Sequence, residues 1–360
     1  MPTYPDSDTD LRVDATALLA LVTAVFRSCD QRPEDAALVA DSLVTADRRG
    51  VHSHGVLRVP EYVRKLTTDG VDPRGRPAVV RERGACLVVD GGNSMGQIGA
   101  AFAMGLAIAR ARETGIAAVA VRGSNHCGAM AHYAMQALPA DMIGLATTNA
   151  LPTMAPWGGA ERLLGINPLA VAVPAAAERP IVYDAAFSAT AHGKVRVYRQ
   201  KGLPLPPGWA LDAEGRPTTD PAAALDGLLQ PIGGFKGTAL AMLMGVLSSM
   251  LSGAAYGTEL GTMEAGPRPG QDGHFFAAID VAAFEDAGRF KARVDAAVRQ
   301  LRGARRAPGV ERIYAPGEPE FELEARYARE GIPLSRETVA DLAATARARG
   351  VDAAGLPPAA

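Results

Sequence analysis

A chain of 360 residues with 48% hydrophobic and 21% charged positions can bury a large core, and it is long enough for two domains or one elaborate one. Its 37 basic and 39 acidic residues leave a net charge of -2, too weak a field to recruit nucleic acid or an anionic membrane surface. Three cysteines, Cys29, Cys86 and Cys127, show no CxxC spacing and argue against a disulfide framework or zinc knuckle; with the polar, acidic start from Met1 to Arg12 in place of a secretory signal, a cytoplasmic protein is expected.

Apolar residues at helical spacing predict helices over Asp14 to Ser28 and Glu34 to Arg48, the second opening on Pro33 and closing on Arg48, Arg49 and Gly50. Asp69 to Arg83, with Gly70, Pro73, Gly75 and Pro77, reads as a linker. Beyond it, Ala85 to Val89 predicts a strand, Gly99 to Thr114 a helix and Ile116 to Val121 a strand, and the alternation argues α/β. Ile143 to Thr147, Leu169 to Val173 and Pro180 to Asp184 are further strand candidates. The proline-rich run Gly202 to Gly227 reads as an ordered surface loop.

Thr238 to Ala255 is uncharged over about the 18 residues at which a membrane-spanning helix becomes a candidate. Its glycines and serines, and the lack of an aromatic belt, predict instead a helix buried on all sides. After a second loop rich in Gly and Pro beyond Gly257 come a strand over His274 to Val281, an amphipathic helix over Ala287 to Arg302, and helical segments over Leu323 to Arg349 broken at Gly331 and Pro333. Residues 1–75 thus form an expected N-terminal helical region, 76–284 an α/β body and 285–360 C-terminal helices packing against the first.

No GxGxxG follows a strand with an acidic residue about 20 positions on, and no GxxxxGK[ST] occurs, so a standard Rossmann or P-loop site is not supported. Gly50-Val-His-Ser-His-Gly55 places two of the six histidines beside Ser53, and histidine exchanges protons near neutral pH without a large shift. On a helix, His54, Arg58 and Tyr62 share one face, giving a proton exchanger, a carboxylate clamp and a phenol, although Pro60 requires a helix start or kink there. Taken alone, the segment suits a structural role as well as a catalytic one.

Ser124-Asn-His-Cys-Gly128 follows a predicted strand, where α/β proteins place their sites, and His126 reads as a base, a substrate donor or a histidine satisfied within its loop. His52, His54, His126 and Cys127 match no strong metal-ligand spacing, so no metal is expected. Pro231-Ile-Gly-Gly-Phe-Lys-Gly237 brings a lysine to the start of a helix, suited to a phosphate, to an imine-forming role for Lys236, or to a plain glycine turn.

In order, GVHSHGVLRVPEY, SNHCG, APWGG, GINPLAVAVP, VYDAAFSATAHGKV, LPPGWALDAEGRPTTDP, LQPIGGFKG and APGEPE resemble the malate/L-lactate dehydrogenase family, which is unrelated to Rossmann-type lactate dehydrogenases. They cover about Glu34 to Glu320, and the ordered set is far more specific than any member. The resemblance implies a non-Rossmann NAD(P)-binding mixed-sheet α/β fold with N- and C-terminal helices packed together, a dinucleotide-binding body over 76–284, and a homodimer.

It further implies NAD or NADP as coenzyme and hydride transfer at the alpha-carbon of a small 2-hydroxy, 2-oxo or cyclic imino acid. By resemblance, His54, His126 and Asp184 are catalytic, and Ser53, Arg58 and Tyr62 are substrate contacts. Asp184, Ala185, Ala186, Phe187, Ser188, Phe235, Lys236, Gly317, Glu318 and Pro319 hold the coenzyme, with Asp184 expected to orient an imidazole. Two departures stand out: Ala150 replaces a serine or other polar residue of several members, and Ala185, Ala186 and Phe187 differ from the more usual Met-Ala-Thr run. An imine-forming lyase at Lys236 and a non-catalytic ligand-binding protein are the rival readings.

Overall fold

The computed structural model describes residues 10–68, 70–200, 202–260 and 270–358. Most of the acidic start and of the Gly/Pro-rich run after Gly257 lies outside them. β1 (Leu11–Val13) leads into α1 (Ala15–Arg27), where the Asp14 carboxylate caps the helix by accepting from the N–H groups of Thr16 and Ala17 at 2.9 Å. α2 (Pro33–Arg48) opens on its proline with Glu34 and Asp35 against the helix dipole, and α3 (Val59–Thr67) carries Pro60 in its first turn, where a missing N–H costs nothing.

β2 (Ala78–Arg83), β3 (Cys86–Asp90), α4 (Gly96–Thr114), β4 (Ile116–Ser124), α5 (Ala131–Ala134), β5 (Met142–Thr148), β6 (Pro152–Met154), β7 (Leu164–Gly165), β8 (Leu169–Val173) and β9 (Ile181–Ala185) form the alternating centre. α6 (His192–Gln200), β10 (Ala210–Leu211), β11 (Pro217–Thr218), α7 (Pro221–Asp226), β12 (Leu228–Leu229) and α8 (Phe235–Gly245) follow. β13 (Asp272–Asp280), α9 (Ala287–Arg302), α10 (Glu318–Glu330), β14 (Ile332–Leu334) and α11 (Arg336–Ala348) come last.

The main sheet is mixed, ordered β2-β3-β4-β13-β5-β8-β9, with only β3 and β4 parallel. Its centre is β13, a late strand inserted antiparallel between β4 and β5, so it is shielded on both sides and rich in Phe, Ala and Ile. The alanines of α4 let that helix lie close against β4 and β13, with Ala100, Ala103, Ala107 and Ala111 fully buried. A second, smaller sheet runs β11-β10-β12-β6-β7.

The two ends of the chain meet. β1 pairs antiparallel with β14, Leu11 opposite Leu334, and one apolar core joins Leu18, Val22, Phe26, Val39 and Leu43 to Tyr327, Ile332, Val339 and Leu342. N- and C-terminal helices are therefore packed together, as the fold class anticipates.

Three elements depart from the sequence expectations. The second half of the expected linker is β2, an edge strand exposed throughout, which lacks the alternating burial that would have marked it. The proline-rich run Gly202 to Gly227 contains β10, β11 and α7, and it buries Leu205 and Ala210; two-residue strands are too short to show a period. The apolar stretch from Thr238 is not buried on all sides: α8 ends at Gly245 in a wider turn over Val246–Met250, and Met242, Leu243, Met250 and Leu251 are all at least half exposed, at 50, 54, 52 and 57%. Among the described residues, no helix is long and apolar enough to cross a membrane.

Candidate active site

The histidine-rich segment is positioned from behind by Asp47, in the last turn of α2. Its buried carboxylate contacts His52 Nδ1 at 2.7 Å through one oxygen and accepts the Val56 N–H at 2.7 Å through the other. Burial pushes the Asp47 carboxyl up, and His52 partly offsets this. Gly55 crosses directly over the carboxylate: a β-carbon there would sit 2.1 Å from an Asp47 oxygen, so only glycine fits. The chain then runs through two single-turn 3-10 segments, His52–His54 and Val56–Arg58, into α3.

Because of these turns, His54, Arg58 and Tyr62 do not lie on one continuous helix, yet they converge. His54 Nδ1 is 2.9 Å from Ser53 Oγ, Arg58 Nε donates to the Ser53 carbonyl at 2.9 Å, and Arg58 also pairs with Glu61 at 3.1 Å. The end of β4 supplies the second imidazole. His126 stacks on His54 with ring centres 5.7 Å apart, and its Nδ1 lies 2.6 Å from the hydroxyl of the wholly buried Tyr62.

Gln97, at the start of α4, donates to that same phenol oxygen at 3.2 Å. The Tyr62 O–H therefore donates to His126 Nδ1, and the proton of the neutral imidazole resides on Nε2. Tyr62, expected at the substrate, instead has its hydroxyl engaged with His126 and Gln97. Burial, then the Arg58 charge, pushes His54 down to about 4, and the same causes in the same order hold His126 well below its ordinary value. Both rings are neutral at neutral pH, and an anion beside Arg58 would relieve part of that depression.

Two residues that the sequence reading passed over hold the second loop. His274, wholly buried in β13, contacts Ser124 Oγ and Thr148 Oγ1 at 2.8 Å each, fastening the end of β4. Arg49, also buried, stacks over Phe321 at 4.5 Å and stabilises the charges of Glu324, Glu320 and Asp184. In the sequence, the one visible sign of His274 was a polar residue at the head of the apolar run His274 to Val281.

Asp184 lies one residue before the end of β9, beside these loops. Its carboxylate accepts the Ala131 N–H at 2.7 Å, tying the coenzyme-candidate strand to the chain just past His126; neither imidazole is among its partners. Asp184 keeps exposed surface although the fold surrounds it, and burial raises its carboxyl to about 6. The remaining coenzyme candidates lie alongside. On one edge Val182 N–H bonds the Pro316 carbonyl at 3.0 Å, and Gly317, with φ of 87°, approaches so near Val182 that a β-carbon would be 2.8 Å away.

On the other edge Ser188 bridges Pro231, and Ile232 N–H bonds the Phe187 carbonyl at 2.9 Å, which brings Phe235 and Lys236 to the same end of β9. Ala185 and Ala186 are partly exposed between these edges, whereas Phe187 is buried in the core of the smaller sheet and Ser188 is buried too. Glu318 is occupied by Arg312 at 2.6 Å and the Ala315 N–H at 2.9 Å, with Pro319 following it in the first turn of α10.

These residues suit a dinucleotide: small side chains and glycines allow close approach, and the exposed start of α8 with Lys236 offers N–H dipoles and a cation to a diphosphate. Lys236 is exposed, without the enclosing apolar pocket that activates an imine-forming lysine. Among the described residues, no three His, Cys, Asp or Glu side chains are grouped to hold a metal ion.

The family model described as malate/L-lactate dehydrogenase matches residues 13–343. A malate dehydrogenase of Pyrococcus horikoshii is 37% identical over 351 residues, covering 95% of this chain and 96% of that one. A pyrroline-2-carboxylate/piperideine-2-carboxylate reductase of Pseudomonas putida is 37% identical over 256 residues, 71% of this chain and 75% of that one. Among solved structures, the sulfolactate dehydrogenase of Methanocaldococcus jannaschii superposes with a TM-score of 0.90 at 33% identity, covering 95% of this chain and 98% of that one.

Proposed function

The chain belongs to the malate/L-lactate dehydrogenase family, and from that membership we propose that it exchanges a hydride between NAD or NADP and the alpha-carbon of a small 2-hydroxy, 2-oxo or cyclic imino acid. The observation that carries this reading is the meeting of Arg58 with two stacked neutral imidazoles, on loops tied through Ala131 to the exposed carboxylate of Asp184.

Arg58 holds the substrate carboxylate, charge against charge, exchanging part of its contact with Glu61 for the ligand. Arrival of that anion offsets the Arg58 charge that depresses His54, so the imidazole gains basicity when a substrate is present. His54 then gives or takes the proton at the alpha-oxygen or nitrogen, steadied by Ser53. His126, fixed by Tyr62 as an Nε2–H donor, stabilises negative charge developing on the same atom. The nicotinamide, when bound, supplies or accepts the hydride. Ala185, Ala186, Phe235, Lys236 and the Gly317 turn hold the dinucleotide, while Phe187, Ser188, Glu318 and Pro319 shape its walls from within.

The exposed apolar face of α8 and the turn after it suits a second copy of the chain, giving a homodimer. Three free thiols, two of them buried, suit a reducing cytoplasm. The test of function is consumption of NADH or NADPH, followed by absorbance, against a panel of 2-oxo and cyclic imino acids. Turnover with one class is expected, and replacing His54 by Ala should lower kcat about a hundredfold or more. No turnover with any acid, or near wild-type turnover in His54→Ala, sinks the reading or that residue's role respectively.

A further inference from the structure

On the reading of Arg58 as the clamp for the substrate carboxylate, that clamp already holds an anion. Arg58 Nη1 pairs with Glu61 Oε2 at 3.1 Å, one turn along α3, while Arg58 Nε donates to the Ser53 carbonyl at 2.9 Å. Nη2 makes no such contact among the described residues, so a carboxylate reaching Arg58 takes Nη2 and shares Nη1 with Glu61. Glu61 is not a solvated counter-ion. Its side chain is 13% exposed, and its second oxygen, Oε1, is buried without a hydrogen-bond donor among the described residues.

An ionised carboxylate so placed keeps one charged oxygen unsolvated. Burial accordingly raises Glu61 above the ordinary glutamate value, and Arg58, then Lys65 and Arg64, partly offset this. These cations all stand on its own helix and cap. The loops meeting Arg58 bring His54 and His126, both neutral, and burial keeps neighbouring Tyr62 a phenol. α1 and α11 pack on α3 through apolar residues, Val25, Val63 and Leu342 among them. Their ionisable groups, Arg27, Arg336, Glu337, Asp341 and Arg347, are not among the charges that shift Glu61. An arriving substrate therefore sets two carboxylates on one guanidinium, and like charges that close do not both stay ionised.

We propose that Arg58 and Glu61 form a proton-linked carboxylate site: as the substrate carboxylate takes its place on Arg58, Glu61 takes up one proton from solvent, and its new O–H donates to that carboxylate. One O–H bond forms, and the proton's charge cancels that of the incoming anion. The proton returns to solvent when the product leaves, so turnover consumes none at this position. Glu61 carries it rather than the ligand, because an acid with oxygen or nitrogen on its alpha-carbon is stronger than a glutamic acid and Oε1 has no donor to hold its charge.

The test follows KM against pH, for the panel acid of highest kcat/KM and for the coenzyme, in the wild type and Glu61→Gln. Glutamine keeps the size and the acceptor for Arg58, and its N–H stands in permanently for the proton. Uptake on binding makes the wild-type KM for the acid climb with pH, so the ratio of wild type to variant should grow by about threefold or more between about pH 6.5 and 8.5. Relief of His54 by the anion is common to both proteins and cancels in that ratio, while the ratio for the coenzyme should stay within about twofold. Glu61→Met, equally unable to titrate, serves should Glu61→Gln fold poorly. A ratio for the acid that is flat or falls with pH overturns the proposal, as does equal movement of both KM values, which marks a general disturbance of the fold. Turnover with a flat ratio removes the proton link alone; no turnover of any acid removes the dehydrogenase reading with it.

Discussion

At Tyr62 a single phenol decides which nitrogen of His126 carries the proton. Tyr62→Phe removes the donor to Nδ1 and leaves Gln97 without its acceptor, in a wholly buried place. Stability should fall by about 1–3 kcal/mol in denaturant titration, and kcat by about tenfold as the ring loses its fixed tautomer. Unchanged kcat would remove His126 from the chemistry. His274 tests the electrostatics separately. Burial pushes it to about 4 in the native chain, against about 6.5 when unfolded, so the native state binds fewer protons in that window. Its stabilising contribution is complete above about pH 6.5 and is lost as pH falls toward 4. Asp184 and Asp272, raised to about 6 and about 7, have the opposite sign: their contribution fades as pH rises through those values. His274→Gln should accordingly flatten the fall of Tm between pH 6.5 and 4, and an unchanged slope there would contradict this account.

The loop from Gly50 to Gly55 is the element on which the imidazoles depend, and it has one backbone position with no tolerance. Gly55→Ala puts a methyl group 2.1 Å from an Asp47 oxygen, so the loop must leave the carboxylate that organises it. We expect a loss of at least about 2 kcal/mol in stability together with most of the activity, measured by thermal unfolding and steady-state turnover; a variant as stable and active as the wild type would mean that the loop has another support. The same element shows what a sequence reveals. GVHSHGVLR is conspicuous because its residue types are rare together, so His54 and Arg58 stand out before any fold is known. Asp47 and Gln97 sit in ordinary helical patterns and acquire partners only through tertiary contact. The long helices α1, α2, α4 and α9 are readable from their spacing. By contrast, β1, β6, β7 and β10 to β12 are two or three residues long, and partners distant in the chain create them. Asp184 was identifiable by resemblance, but its bond to Ala131 was not, since nothing local links a strand end to a backbone N–H on another loop.

For the molecule as a whole, the decisive surface is the apolar face of α8 and of the turn after it. Met242, Leu243, Met250 and Leu251 together expose more hydrocarbon than scattered surface residues normally do, and a homodimer contact would cover it. Leu243→Glu with Leu251→Glu should shift the sedimentation coefficient from dimer to monomer without unfolding the chain; a monomeric wild type would remove the premise. The pairing of β1 with β14 bears on how the protein is made. Leu11 leaves the ribosome long before Leu334, so the first helices must wait, greasy sides uncovered, until synthesis is nearly over. A nascent chain stalled before residue 330 would present that waiting surface to chaperones, and the candidate catalytic loop hung from α2 would mature last although it is among the earliest parts translated.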